Sequence, residues 1–110
     1  MNTPITVWTK PSCVQCNMVK KFLVEKFTGK RNLSPGGLED EWQDLIRAGK
    51  VRELDLSSPD HIKDLEHFKG LGYGSAPITE YKSHAVPGFI PAQLATIFEE
   101  YQHEADPARS

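Results

Sequence analysis

Cys13 and Cys16 are the only cysteines in the 110-residue chain, and they stand three apart. A bridge between them closes a tiny loop. The entropic benefit of a disulfide grows with loop length, so such a bridge is a poor structural staple. A close pair in a reducing compartment is more often redox-active or metal-binding. Disulfide exchange requires a thiolate, hence a cysteine whose pKa is lowered. A structural zinc ion requires four ligands. Only His61, His67, His84 and His103 are left to complete such a set, with no second C-x-x-C and no close H-x₃-H pair. His61 and His67, six apart, do not share a helix face, and each histidine reads as a surface residue. No metal site is expected.

The placement of the pair favours thiol chemistry. Ile5-Thr6-Val7-Trp8-Thr9 alternates β-branched and aromatic residues and reads as a strand, which Lys10-Pro11-Ser12 breaks. From Cys13 the pattern turns helical: Val14, Met18 and Phe22 recur every four residues, with Val19, Leu23 and Phe27 beside them. Cys13-Val14-Gln15-Cys16 therefore occupies a strand-to-helix junction. There the unpaired amides and the positive end of the helix dipole point at Cys13, and Lys10 adds a cation. Cys16, a turn further in, is expected to be the more buried thiol. It would attack the Cys13 sulfur once a mixed disulfide has formed.

Downstream, Gly29 to Gly37 reads as a loop, ahead of a helix with Leu38, Trp42, Leu45 and Ile46 on its apolar stripe. Glu39, Asp40 and Glu41 suit the start of that helix and Gly49 its stop. Val51 to Leu56 reads as a buried strand. Ser58 and Pro59 open a helix with Ile62, Leu65 and Phe68 on one face, ended by Gly70. A loop then leads to Ala76-Pro77, a strand over Ile78–Tyr81, a turn at Lys82-Ser83-His84, and a short return strand at Ala85-Val86. Pro91 opens a last helix with Leu94, Ile97, Phe98 and Tyr101 on one face, and the tail from His103 onward is expected to fray. The order β-α-(α)-β-α-β-β-α predicts one α/β domain over residues 1–110, a small mixed four-stranded sheet flanked by helices.

Composition narrows the class further. The charge is −2, with 13 basic and 15 acidic residues, and gives no general pull toward nucleic acid or an anionic membrane. At 38% hydrophobic and 25% charged the chain is foldable and soluble. No apolar run approaches the ~20 residues that span a bilayer, and Met1-Asn2-Thr3-Pro4 lacks the basic start of a secretory signal. A cytoplasmic monomer is expected, since no large apolar stripe is left over once the core is assigned.

Residues 5–16, from Ile5 through Cys13-Val14-Gln15-Cys16, resemble the opening of the glutaredoxin-like NrdH-redoxins, and Lys20-Lys21 continues the likeness. Leu71-Gly72-Tyr73, Ala76-Pro77 and Gly88-Phe89 followed by Pro91 recur in the family's order. The resemblance covers most of the chain outside residues 28–50 and the C-terminal tail. It implies a thioredoxin fold and a small dithiol electron donor for the large subunit of class Ib ribonucleotide reductase. Such a donor needs no bound cofactor beyond its redox-active disulfide; NADPH acts indirectly, through thioredoxin reductase. On this analogy Cys13 attacks and Cys16 resolves, supported by Lys10, Pro11, Val14 and Gln15. Ala76, Pro77, Gly88 and Phe89 receive the partner. Pro77 is expected to be cis, turning the chain so that the Ala76 backbone can pair with an incoming peptide.

The chain departs from the family in two places. Where the family has Trp-Ser-Gly-Phe-Arg-Pro, this chain reads Val86-Pro87-Gly88-Phe89-Ile90-Pro91. The change removes a polar network and leaves either an apolar docking surface or simple packing against the last helix. The second departure is an insertion over about residues 28–50, read as a decoration covering the sheet or a neighbouring helix, with an extended partner interface as the alternative. Among rival readings, a glutathione-dependent glutaredoxin lacks its Gly-Gly-x-Asp anion nest here. A redox-sensing regulator of the arsenate-reductase-like type would carry its extra helices after the second strand, not before Val51.

Overall fold

A computed structural model describes residues 3–105. The elements run β1 (Ile5–Thr9), α1 (Val14–Thr28), α2 (Pro35–Arg47), β2 (Val51–Asp55), α3 (Ile62–Gly70), β3 (Ile78–Tyr81), β4 (His84–Pro87) and α4 (Pro91–Ala105). The four strands form one mixed sheet in the order β2-β1-β3-β4. β1 pairs parallel with β2, Val7 opposite Glu53, and antiparallel with β3, Val7 opposite Thr79. β3 and β4 close an antiparallel hairpin.

Successive strand residues face opposite sides of a sheet, so the period-two pattern splits the core. Ile5, Val7, Val51, Tyr81 and Val86 pack beneath α1, α2 and α4 through Val19, Leu23, Trp42, Leu94 and Ile97. Trp8 and Ile78 face the other way, onto Leu56 and onto Phe68 of α3. All five residues of β1 are buried, as expected of a central strand with helices on both faces.

Several expectations need correction. Val14 and Met18 do not join the core but are 75% and 41% exposed; the buried stripe of α1 is Cys16, Val19, Leu23 and Val24. Pro35-Gly36-Gly37 is not loop but the first turn of α2. Ser34 caps it by accepting from the Gly37 amide at 3.1 Å, and Pro35 takes the first helical position, where no amide is needed. That earlier start leaves no acidic residue in the first turn, so Glu39, Asp40 and Glu41 lie inside the helix. β2 is an edge strand, with only Val51 buried rather than the whole run. A 3₁₀ turn over Pro59–His61 precedes α3 and rotates Ile62 to the surface, leaving Leu65 and Phe68 on the inner face. The last helix carries on through His103 to Ala105; the tail beyond it, like Met1 and Asn2, lies outside the described residues.

The segment over residues 28–50 supplies core. Trp42 is fully buried in the larger cluster with Leu45, while Leu33, Leu38 and Ile46 pack against it. α2 thus covers the β2 edge and the flank of α1. Among the described residues no helix is long and apolar enough to cross a membrane.

Candidate functional site

The chain leaves the C-terminal end of β1 through Lys10-Pro11-Ser12. Ser12 adopts a left-handed conformation, φ 54°, which costs a non-glycine residue about 1 kcal/mol. Cys13 follows as the extended N-cap of α1, where its sulfur takes the place of a capping oxygen and accepts from the Cys16 amide at 3.1 Å. Cys13 and Cys16 are joined by a disulfide, with Cα atoms 5.2 Å apart. Cys16 is 2% exposed and Cys13 only half-buried. No acidic side chain sits in the first turn of α1 to offset its positive end. When the bond is reduced, the Cys13 sulfur is the one placed on an amide at a helix N-terminus, where negative charge is favoured.

Two loops converge on this turn. The Ala76–Pro77 peptide bond is cis and Pro77 is buried. The Gly88 amide donates to the Pro77 carbonyl at 2.8 Å. Gly88, at φ 74°, lies close enough to the first turn of α1 that a Cβ there would stand 3.7 Å from the Gln15 side-chain oxygen. Gln15, Pro77 and Gly88 are therefore drawn together. Ala76 turns toward the smaller core with Tyr73 and Ala85. Phe89 packs edge-on against Phe22 of α1, ring centroids 6.3 Å apart, and lines a 240 Å³ groove with Met18, Lys21, Phe22 and Glu25. Val86 is fully buried, and Phe89 and Ile90 lean on the larger core.

Lys10 and Pro11 are exposed and line a cavity of 480 Å³ at the C-terminal ends of β1 and β2, with Thr9, Gln43, Ile46, Glu53 and Asp55. Behind it stands a group that sequence reasoning missed. Glu53 accepts from the Trp42 indole at 2.8 Å and the Thr9 hydroxyl at 3.0 Å, and pairs with Lys20 at 2.9 Å. Burial pushes the Glu53 carboxyl up. The hydrogen bonds from Lys20 and Trp42, the Lys20 charge and the Thr9 hydroxyl outweigh that, and its pKa lies below the ordinary 4.5. The available signal was the alternation of β2, which puts Glu53 on the same face as buried Val51. Ser12 carried no such signal.

Among the described residues no three metal-ligating side chains converge. His61 stacks edge-on against Trp8 at 5.2 Å between centroids, and His84 pairs with Glu100 at 3.2 Å. No known protein family matches the chain, and no curated protein sequence does. With its own atoms the arrangement can make and break the Cys13–Cys16 bond.

Proposed function

We propose that the protein is a dithiol–disulfide oxidoreductase on a thioredoxin fold, an electron donor of the NrdH-redoxin type. The observation that carries this reading is the asymmetry of the pair: a half-buried Cys13 whose sulfur accepts the Cys16 amide, and a buried Cys16. In the reduced protein the Cys13 thiolate attacks one sulfur of a partner disulfide. That bond breaks, the departing partner thiolate takes up a proton, and a mixed disulfide forms. Cys16, deprotonated, then attacks the Cys13 sulfur and expels the second partner thiolate, which is protonated in turn. Two electrons pass to the partner, with one proton from Cys16 and one from solvent, and the Cys13–Cys16 disulfide remains. By the same resemblance Pro77 and Gly88, joined by the Gly88 amide to the Pro77 carbonyl, receive the partner, and the Ala76 backbone offers hydrogen bonds to the bound segment.

By resemblance, the partner is the large subunit of class Ib ribonucleotide reductase and the recharging enzyme is thioredoxin reductase, with NADPH as the ultimate source of electrons. The protein works as a cytoplasmic monomer without a bound cofactor. The test is NADPH consumption with insulin as disulfide substrate, run in parallel with thioredoxin reductase and with glutathione plus glutathione reductase. Turnover with thioredoxin reductase alone supports the donor. Turnover with glutathione alone makes the protein a glutaredoxin, and silence in both arms removes the general reductase reading.

A further inference from the structure

The ion pair of Lys20 and Glu53 is more enclosed than surface pairs of this fold, its side chains 14% and 27% exposed. Lys20 lies four residues after Cys16 on α1, so the two are neighbours on one helix face, and helical side chains lean toward the N-terminus. Its ammonium therefore belongs to the turn below the dithiol. One carboxylate ties that ammonium to three other elements: β1 through Thr9, α2 through Trp42, and β2, which carries Glu53 itself. The Trp42 ring, 5.8 Å from the Lys20 nitrogen, roofs the pair. The inserted helix thus supplies both a hydrogen bond to the carboxylate and the cover that keeps water from weakening the attraction.

Resting on the proposed dithiol exchange, we infer that Glu53 is a positioning residue that keeps the Cys13–Cys16 couple reducing by cancelling the charge of Lys20. An unpaired ammonium one turn from Cys16 would stabilise thiolate at either sulfur. A stabilised reduced form makes a couple more oxidising. Paired with Glu53, the ammonium presents the dithiol with a dipole, whose field falls off faster than that of a charge. The helix end and the Cys16 amide are then left to activate Cys13 without turning the pair into an oxidant. The other charges nearby are divided: Lys10 and Asp55 line the cavity on the Glu53 side, and Lys21 and Glu39 line the groove on the Lys20 side. Each wall carries one of either sign, so neither replaces the missing countercharge.

The sign of the effect separates charge from mere packing. Glu53→Gln leaves Lys20 unpaired and should lower the Cys13 pKa by ~0.5 unit, about threefold in its dissociation constant, as expected of one charge acting near a protein surface. It should also make the disulfide easier to reduce. Lys20→Gln leaves the carboxylate unpaired and should move both quantities the opposite way. The double variant should return close to the wild type. The measurements are thiolate absorbance at 240 nm against pH in the reduced proteins, and equilibration of each disulfide with dithiothreitol. Shifts of both single variants in the same direction, or no shift in either, overturn the inference. Should Glu53→Gln fail to fold, Lys20→Gln against the double variant still reads the sign. A wild-type Cys13 that titrates near the ordinary thiol value and an inactive insulin assay would instead count against the donor reading, whether or not the variants split.

Discussion

Cys13 and Cys16 share one bond but not one environment. Cys13 is half-buried and its sulfur accepts an amide; Cys16 is buried. Replacing Cys13 by Ser removes the less buried of the two thiols and should abolish insulin reduction, by roughly 10³-fold or more, since a neutral hydroxyl is far from its ionised form at neutral pH. Activity retained by Cys13→Ser would assign the attack to Cys16. Replacing Cys16 by Ser removes the second attack, so a mixed disulfide with the partner should accumulate and survive non-reducing electrophoresis. At this scale the sequence was most informative about the cysteines, because their spacing is itself the chemistry. It was least informative about Val14 and Met18. Their four-residue spacing mimics a core stripe, yet the core lies on the neighbouring face, where Cys16, Val19 and Leu23 are.

At the scale of elements, the helix α2 is held by Trp42, which fills the core with its ring and reaches Glu53 with its indole nitrogen. These two roles can be separated. Trp42→Ala opens a cavity and should cost ~3–5 kcal/mol. Trp42→Phe keeps most of the packing and leaves Glu53 one donor short, which should cost ~1–2 kcal/mol. Urea unfolding of the disulfide form reads both. A Trp42→Ala protein within ~1 kcal/mol of the wild type would mean that α2 merely rests on the surface. The elements themselves were legible wherever local chemistry decides them: the Ser58-Pro59 start, which opens the 3₁₀ turn ahead of α3, the Pro91 start and the alternation of β1. Pro35-Gly36-Gly37 was misread as loop because breaker composition says nothing of the Ser34 cap that makes a first turn there possible. Nor could local pattern show that Lys20, Trp42 and Glu53 meet, since three separate elements bring them together.

For the whole molecule, proton binding links these sites to stability. Glu53, Asp55 and Glu104 all lie below their ordinary values. Glu53 is held down by Lys20, Trp42 and Thr9 against its burial, Asp55 by hydrogen bonds from the Ser57 hydroxyl and amide, and Glu104 by hydrogen bonds from Lys82 and Tyr81. A carboxyl that binds protons less tightly when folded contributes fully above its unfolded pKa and loses that contribution as pH falls. The acid limb should therefore begin near the ordinary values of 4.5 and 3.8 and continue below them. Tyr81 acts in the opposite sense. Burial, its hydrogen bond to Glu104 at 2.6 Å and the charges of Glu104 and Glu100 raise its pKa above the ordinary 10. Its contribution is whole below pH 10 and is lost as pH rises past it. Urea unfolding of the disulfide form, in which neither cysteine titrates, should show a plateau between the ordinary carboxyl values and the ordinary tyrosine value of 10, with a decline on each side. Tyr81→Phe should flatten the alkaline limb and leave most of the acid limb in place. Glu53→Gln should lower the plateau and flatten part of the acid limb, since the half-buried carboxylate is then no longer there to be protonated. An alkaline limb unchanged in Tyr81→Phe would place the high-pH loss on another group and remove Tyr81 from the account. The alkaline limb reports on the pole where the β3–β4 hairpin meets the C-terminal turns of α4; in the acid limb Glu53 and Asp55 report on the strand ends nearer the cysteines, and Glu104 adds a share from the hairpin pole. Independent responses to the two substitutions would show that the charge network beside the dithiol can be altered without loosening the far pole of the fold.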